Sequence, residues 1–200
     1  MEQRIQKFIE RLSCEEVGDM VENMYRNDSQ RDNLRLYLTY LCEKRPTYML
    51  VGEAPGYKGC GVTGIPFTDE NEMKNNLGTS QAGYCFIDEN NPQRESSACI
   101  IWEAIQKKTD APIPLLWNAY PFHPFGDGGK ESNRKPNKDE LCIGKYYLEE
   151  LIDIFDIPVN RIYAVGRVAQ EQLGFRKDES YIRHPSYGGK IACIEGILSI

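Results

Sequence analysis

Long apolar runs, paired cysteines and an excess of basic residues are all missing from this 200-residue sequence. No stretch approaches the roughly 20 apolar residues that a membrane span requires, and Met1-Glu2-Gln3-Arg4 opens a charged segment instead of a signal peptide. A soluble, cytoplasmic protein with no membrane partner is expected. The seven cysteines, at 14, 42, 60, 85, 99, 142 and 193, are odd in number and include no Cys-x-x-Cys pair. That argues against a disulfide framework or a zinc knuckle and for buried free thiols. Basic residues are outnumbered, 24 against 30 acidic, for a net charge of −6, so broad electrostatic adhesion to nucleic acid is not expected. There is no internal repeat and no linker long enough to divide the chain. What is present, 40% hydrophobic and 27% charged residues, suits one globular core.

Spacing organises that core. Ile5, Phe8, Ile9, Leu12, Val17, Met20, Val21 and Met24 recur at three and four, which predicts an amphipathic helix through the first 26 residues. A second helix, capped by Asp28 or Ser29, buries Leu34, Tyr37, Leu38 and Leu41. At Thr47-Tyr48-Met49-Leu50-Val51 the period gives way to a continuous apolar run ended by Gly52, as in a strand covered on both faces. Leu115-Leu116-Trp117 before Asn118 and Arg161-Ile162-Tyr163-Ala164-Val165 before Gly166 repeat that grammar. Helical stripes lie between them: Ala98, Ile101, Trp102 and Ile105, then Leu141, Leu148, Leu151, Ile152 and Phe155, the latter led by Asn137 and Glu140 at capping-box spacing. Alternating strands and helices predict an α/β fold, a three-layer α/β/α domain on a mostly parallel four-stranded sheet. One domain spans 1–200, with residues 1–46 as N-terminal helices packing on the sheet. Trp102 and Trp117 are read as core, and Glu149, Glu150, Asp153 and Asp156 as a solvated helix face.

In open α/β sheets ligands sit beyond the carboxyl ends of the strands. The residues there are Gly52-Glu53-Ala54-Pro55-Gly56, with Thr63-Gly64-Ile65-Pro66-Phe67 downstream; Asn118-Ala119-Tyr120-Pro121-Phe122-His123-Pro124; Gly166-Arg167; and, after the short run Tyr181-Ile182-Arg183, His184-Pro185-Ser186-Tyr187-Gly188-Gly189. The irregular stretches 53–95 and 119–136 exceed ordinary loop length and read as binding loops. His123 suits loop packing as well as function, and Arg167 suits a phosphate as well as a helix cap.

In this order the motifs resemble the uracil-DNA glycosylase superfamily from about Tyr48 to Gly189, most closely its family-four type. The resemblance implies a monofunctional glycosylase of base excision repair that hydrolyses the N-glycosidic bond of uracil, or a related deaminated base, flipped out of DNA. It implies Glu53 and His184 as catalytic residues: Glu53 to orient water, His184 to stabilise charge on the departing base. Gly52, Ala54, Pro55, Gly56, Phe67 and Asn118 would bind the base, Phe67 by stacking and Asn118 by pairing its carboxamide with the O4 and N3–H edge. Ser186, Tyr187, Gly188 and Arg167 would meet DNA, with Ser186 at a phosphate and Tyr187 as a wedge in the vacated stack.

The sequence departs from the family at four places. Ala54 stands where the uracil-specific branch has aspartate, and Tyr57-Lys58-Gly59-Cys60 where family-four proteins have an acidic cluster. Gly56 stands where a tyrosine bars thymine's methyl. The first 46 residues hold only Cys14 and Cys42, so no iron–sulfur cluster, no metal and no other cofactor is expected. These departures leave open a weak or silent member acting as a DNA- or protein-binding module, and hydrolysis of a free nucleoside. A monomer is expected. Charge is uneven: residues 139–156 carry one lysine against six acids, whereas 161–190 carry six basic residues against three acidic. The acidic surplus is thus expected behind the proposed site.

Overall fold

The computed structural model describes residues 1–174 and 180–200. Arg176, Lys177, Asp178 and Glu179, counted above among the charges of 161–190, lie outside them.

Strands β2 (Met49–Gly52), β3 (Leu115–Asn118), β5 (Ile162–Val165) and β6 (Tyr181–Ile182) form one sheet in the order β3-β2-β5-β6, every pair parallel. All residues of β2, β3 and β5 are buried, which explains their unbroken apolar runs: helices cover both faces. The architecture is the expected three-layer α/β/α. Register then matters. Gly52 pairs with Asn118 across β2 and β3, and Gly166 N–H donates to the Ile182 carbonyl at 3.0 Å, so all four strands end at one edge.

Helix α1 (Glu2–Cys14) buries Ile5, Phe8, Ile9 and Leu12, and Phe8 meets Trp117 of β3 edge-on, ring centroids 5.6 Å apart. The helix stops twelve residues short of the sequence expectation. Asn23, itself buried, donates from Nδ2 to the carbonyls of Leu12 (2.9 Å) and Glu15 (3.1 Å), satisfying the helix end from outside. Val21–Glu22 then forms β1, antiparallel to β4 (His123–Pro124), and Met20 is exposed. Helix α2 (Asp28–Lys44) begins at Asp28 itself after Asn27, with no side-chain cap. Its Tyr37 hydroxyl accepts from Leu116 N–H at 2.9 Å, tying α2 to β3.

Helix α5 (Ser96–Lys107) packs on α8 (Lys190–Leu198), and α6 (Lys138–Phe155) carries the predicted capping box of Asn137 and Glu140. Both tryptophans are core; Trp102 Nε1 donates to Thr68 Oγ1 at 3.1 Å. On the acidic face of α6, Glu149, Asp153 and Asp156 are exposed as expected, Asp153 pairing with Arg4 at the surface, whereas Glu150 is half-buried and pairs with Arg11 of α1. Nor are all thiols buried, since Cys14, Cys85 and Cys142 are exposed and only Cys60 and Cys193 fully enclosed.

The long stretch 53–95 contains two short helices, α3 (Cys60–Thr63) and α4 (Glu70–Glu72), and is held from within. Asn33 of α2 donates to the Thr63 and Cys85 carbonyls, each at 3.0 Å, and accepts from Cys85 N–H at 2.7 Å. Buried Glu70 accepts from the N–H groups of Ile87 and Gln93, and buried Asp69 from those of Glu72 and Glu95. Side chains here supply the partners that buried backbone otherwise finds in ladders. Phe67 and Glu95 are fixed in place as a result.

Candidate active site

A cleft of about 350 Å³ opens at the carboxyl ends of the strands. Eight expected site residues line it: Glu53, Ala54, Pro55, Gly56, Phe67, Asn118, His184 and Tyr187. Gly52, Ser186, Gly188 and Arg167 do not, and Cys60, Glu95, Ser97, Asn133 and Arg134 join the wall without having been anticipated.

Gly52 lies beneath the cleft floor, under Phe67 and Asn118. A β-carbon on it would fall 2.5 Å from Phe67 Cζ and 2.7 Å from Asn118 Oδ1, so the bare α-carbon lets the ring and the carboxamide meet above the end of β2. Phe67 is half-buried with φ +54°, a left-handed conformation rare for an aromatic residue. Thr63 Oγ1 anchors that turn, donating to the Thr68 carbonyl at 2.6 Å and accepting from Ile65 N–H at 3.1 Å. Asn118 is buried, and its one side-chain hydrogen bond among the described residues is a long one, from Nδ2 to Cys60 Sγ at 4.0 Å. Its Oδ1 accepts no hydrogen bond among the described residues.

His184 rests against Gly166, where a β-carbon would meet its Cδ2 at 3.5 Å. Its Nδ1 accepts from Ser186 N–H at 3.2 Å and lies 2.6 Å from Ser186 Oγ. Because Nδ1 accepts, the neutral ring carries its proton on Nε2, which has no protein partner among the described residues. Burial, with the nearby Arg183 cation, lowers the imidazole's pKa and favours that neutral form. Ser186, expected at a phosphate, is thus turned inward as the residue that orients His184. Gly189 closes the loop beneath it, since a β-carbon there would strike the His184 carbonyl at 2.1 Å.

Two carboxyl groups face the cleft. Burial raises the Glu53 pKa, with Lys135 opposing and Glu171 reinforcing the shift. Burial and then Asp69 raise that of Glu95, whose Oε2 lies 2.2 Å from the place of a β-carbon on Gly59. No local motif announces Glu95; it arrives through Asp69, which holds its N–H.

Tyr187 is 97% exposed with φ +51°, and Gly188 follows at φ +77° in open space. Arg167 lies outside the cleft with its guanidinium 4.2 Å from the Tyr181 ring centroid and a bond to Gln170 Oε1 at 2.6 Å. His123 packs instead of reacting: its ring nitrogens lie 2.8 Å from the Pro55 carbonyl oxygen and 2.9 Å from that of Lys130. It tethers the Glu53 loop to the 126–132 loop. Arg134 spends its donors on Glu140 and on the carbonyls of Met20, Phe125 and Lys135, so it too is a brace. Among the described residues no three His, Cys, Asp or Glu side chains gather as a metal site requires, and the seven cysteines are scattered, so the residues do not fit a four-thiolate cluster.

Fold and cleft together define an α/β protein with a cleft at the carboxyl ends of a parallel sheet, where an aromatic ring, a carboxamide, a neutral imidazole and two carboxyl groups converge. The family model of the Uracil DNA glycosylase superfamily matches residues 38–192, and the chain belongs to that superfamily. Among solved structures it is similar to wild-type Pedobacter heparinus SMUG2, with a TM-score of 0.66 and 16% sequence identity over 98% of this chain and 95% of that one. At that identity the likeness concerns the fold. No curated protein matches the chain.

Proposed function

We propose that the protein is a monofunctional DNA glycosylase that hydrolyses the N-glycosidic bond of uracil, or a related deaminated base, flipped out of DNA, and so initiates base excision repair as a cytoplasmic monomer. One observation carries this reading: a carboxamide held only by a long contact to Cys60 Sγ and a neutral imidazole with Nε2 unpartnered among the described residues face a single cleft beside a half-buried aromatic ring. Extruding a nucleotide costs a few kcal/mol. Stacking on Phe67 returns about 1–3 kcal/mol of that.

Asn118 meets the N3–H and O4 edge with one acceptor and one donor. Cytosine reverses both, and an unmet buried hydrogen bond costs about 1–3 kcal/mol. As the bond from C1′ to the base breaks, its electron pair leaves with the base. Nε2–H of His184 donates to O2, where that charge gathers, the same preorganised stabilisation as an oxyanion hole. Glu53 accepts a proton from the water that adds to C1′, and its carboxylate offsets the sugar's positive charge. Tyr187, exposed and held outward, fills the gap in the stack, with Arg183 and the loop amides near the phosphates. Charge agrees with this placement, because no residue of α6 lines the cleft and two of its acids, Glu150 and Asp153, pair with Arg11 and Arg4 of α1.

The test is incubation with single- and double-stranded oligonucleotides containing uracil, hypoxanthine or xanthine, followed by alkaline cleavage of abasic sites. Product formation lost on Asn118→Ala and reduced about 10²- to 10³-fold on His184→Ala supports the reading. One feature favours a silent DNA-binding module instead: Ala54 contributes only a methyl group to the cleft. DNA binding without product from any substrate would select that alternative.

A further inference from the structure

The groups around the cleft wall follow an order. His184 lies against Gly166 beyond β5. Asn118 stands at the end of β3, on the other side of β2. Cys60 Sγ lies 4.0 Å from Asn118 Nδ2, and Glu95 comes next, packed on Gly59, the neighbour of Cys60. A pyrimidine presents its edge in the order O2, N3, O4, C5. With O2 at His184 and the N3–O4 edge at Asn118, the following position, C5, faces Cys60 and Glu95.

That corner is roomy and polar. A β-carbon on Gly56 would have nothing nearer than Glu95 Oε1 and Asn133 Oδ1, each at 4.0 Å, and all three residues line the cleft. Gly56 therefore supplies no bulk against a substituent on C5, and what borders the space is a pair of side-chain oxygens. Asp69 fixes the Glu95 main chain by accepting its N–H, and Gly59 takes its carboxyl against a bare α-carbon, so Glu95 is built into the wall. We propose that Glu95 is a specificity-determining residue that reads the C5 side of the flipped base and rejects thymine by polarity instead of by bulk. A methyl group there strips water from a carboxyl group and returns no hydrogen bond, whereas uracil leaves that water in place. The proposal rests on the glycosylase reading above.

Binding separates the two ideas without requiring turnover. Duplexes carrying 2′-fluoroarabino uracil, thymine or cytosine at one position resist hydrolysis, and their affinities are read by fluorescence anisotropy. The intact protein should prefer the uracil duplex over both others. In Glu95→Ala and Glu95→Leu the uracil-over-thymine ratio should fall by about tenfold, chiefly through tighter thymine binding, a size in keeping with one methyl group in a pocket. Glu95→Gln, which keeps a polar group of the same shape, should retain most of the ratio. Thermal melting identifies any variant that fails to fold, and the other two then carry the test. An unchanged ratio in the alanine and leucine variants, or a fall due to lost uracil affinity alone, overturns the role of Glu95. Failure of the intact protein to prefer uracil over cytosine overturns instead the assignment of uracil as its base, on which the role of Glu95 rests.

Discussion

Replacing Gly52 with alanine adds one carbon beneath the floor of the site, and its consequences follow from three distances. The new β-carbon would lie 2.5 Å from Phe67 Cζ, 3.1 Å from Phe67 Cε1 and 2.7 Å from Asn118 Oδ1. Carbon atoms rest at about 3.5–4.0 Å, so the ring must retreat by roughly 1 Å and the carboxamide must swing aside. Phe67 cannot slide freely: its left-handed turn is held by Thr63 Oγ1 and by Thr68 N–H to the Ile65 carbonyl at 3.2 Å. Overpacking of this kind costs about 1–3 kcal/mol. Relieving the chain entropy of glycine offsets about 0.5–1 kcal/mol. The net loss of up to about 2.5 kcal/mol should lower the melting temperature by about 2–4 °C per kcal/mol in a chain this long. Activity should suffer more than stability. The platform and the edge-reading amide move together, and a 1 Å misplacement is worth about 10² in rate. Differential scanning calorimetry and kcat/KM on a uracil oligonucleotide measure both. An alanine variant that melts and turns over like the parent would refute the geometry from which this is worked.

Tyr187→Gly should behave in the opposite sense: its side chain is 97% exposed at φ +51°, so truncation relieves up to about 1 kcal/mol of backbone strain while KM for DNA rises about tenfold, a split read by melting and steady-state kinetics. Ser186→Ala removes the hydroxyl from His184 Nδ1 but keeps the N–H, and kcat should fall about five- to tenfold, the value of one hydrogen bond. The acidic limb of the pH–rate profile should lie above the ordinary carboxylate range, because burial raises the Glu53 pKa from 4.5 and the residue accepts a proton only when ionised; Glu53→Gln should flatten that component. His184 has its pKa lowered from 6.5 by burial and by Arg183. Its contribution to stability is therefore full above pH 6.5 and lost as pH falls through the folded value, so melting temperatures of the parent and His184→Gln should converge below pH 6.5.

Much of the fold is legible in the apolar spacing. The continuous runs at 47–51, 115–117 and 161–165 read as strands covered on both faces, and all four residues of β2, β3 and β5 are buried. The capping box at Asn137 and Glu140 is equally local. Spacing misleads after Cys14: Val17, Met20, Val21 and Met24 continue the helical period, but Asn23 folds back onto the carbonyls that end α1. Glu150 reads as solvated because nothing near it in sequence announces Arg11, against which it is half-buried.

The sequence by itself determined the alternation of strands and helices and the residues delivered at the strand ends: Gly52 to Gly56, Asn118 and His184. Those follow from periodicity and turn chemistry, which act over a few residues. Tertiary structure alone decided that Ser186 faces His184, that Phe67 and Tyr187 are held left-handed, and that Glu95 and Asn133 complete the wall. Each depends on partners remote in the chain, as when Asp69 accepts the Glu95 N–H from 26 residues away or Asn133 Oδ1 accepts Tyr57 N–H from 76. Contacts of that span exist only after the sheet has brought its strand ends to one edge, so no local pattern encodes them.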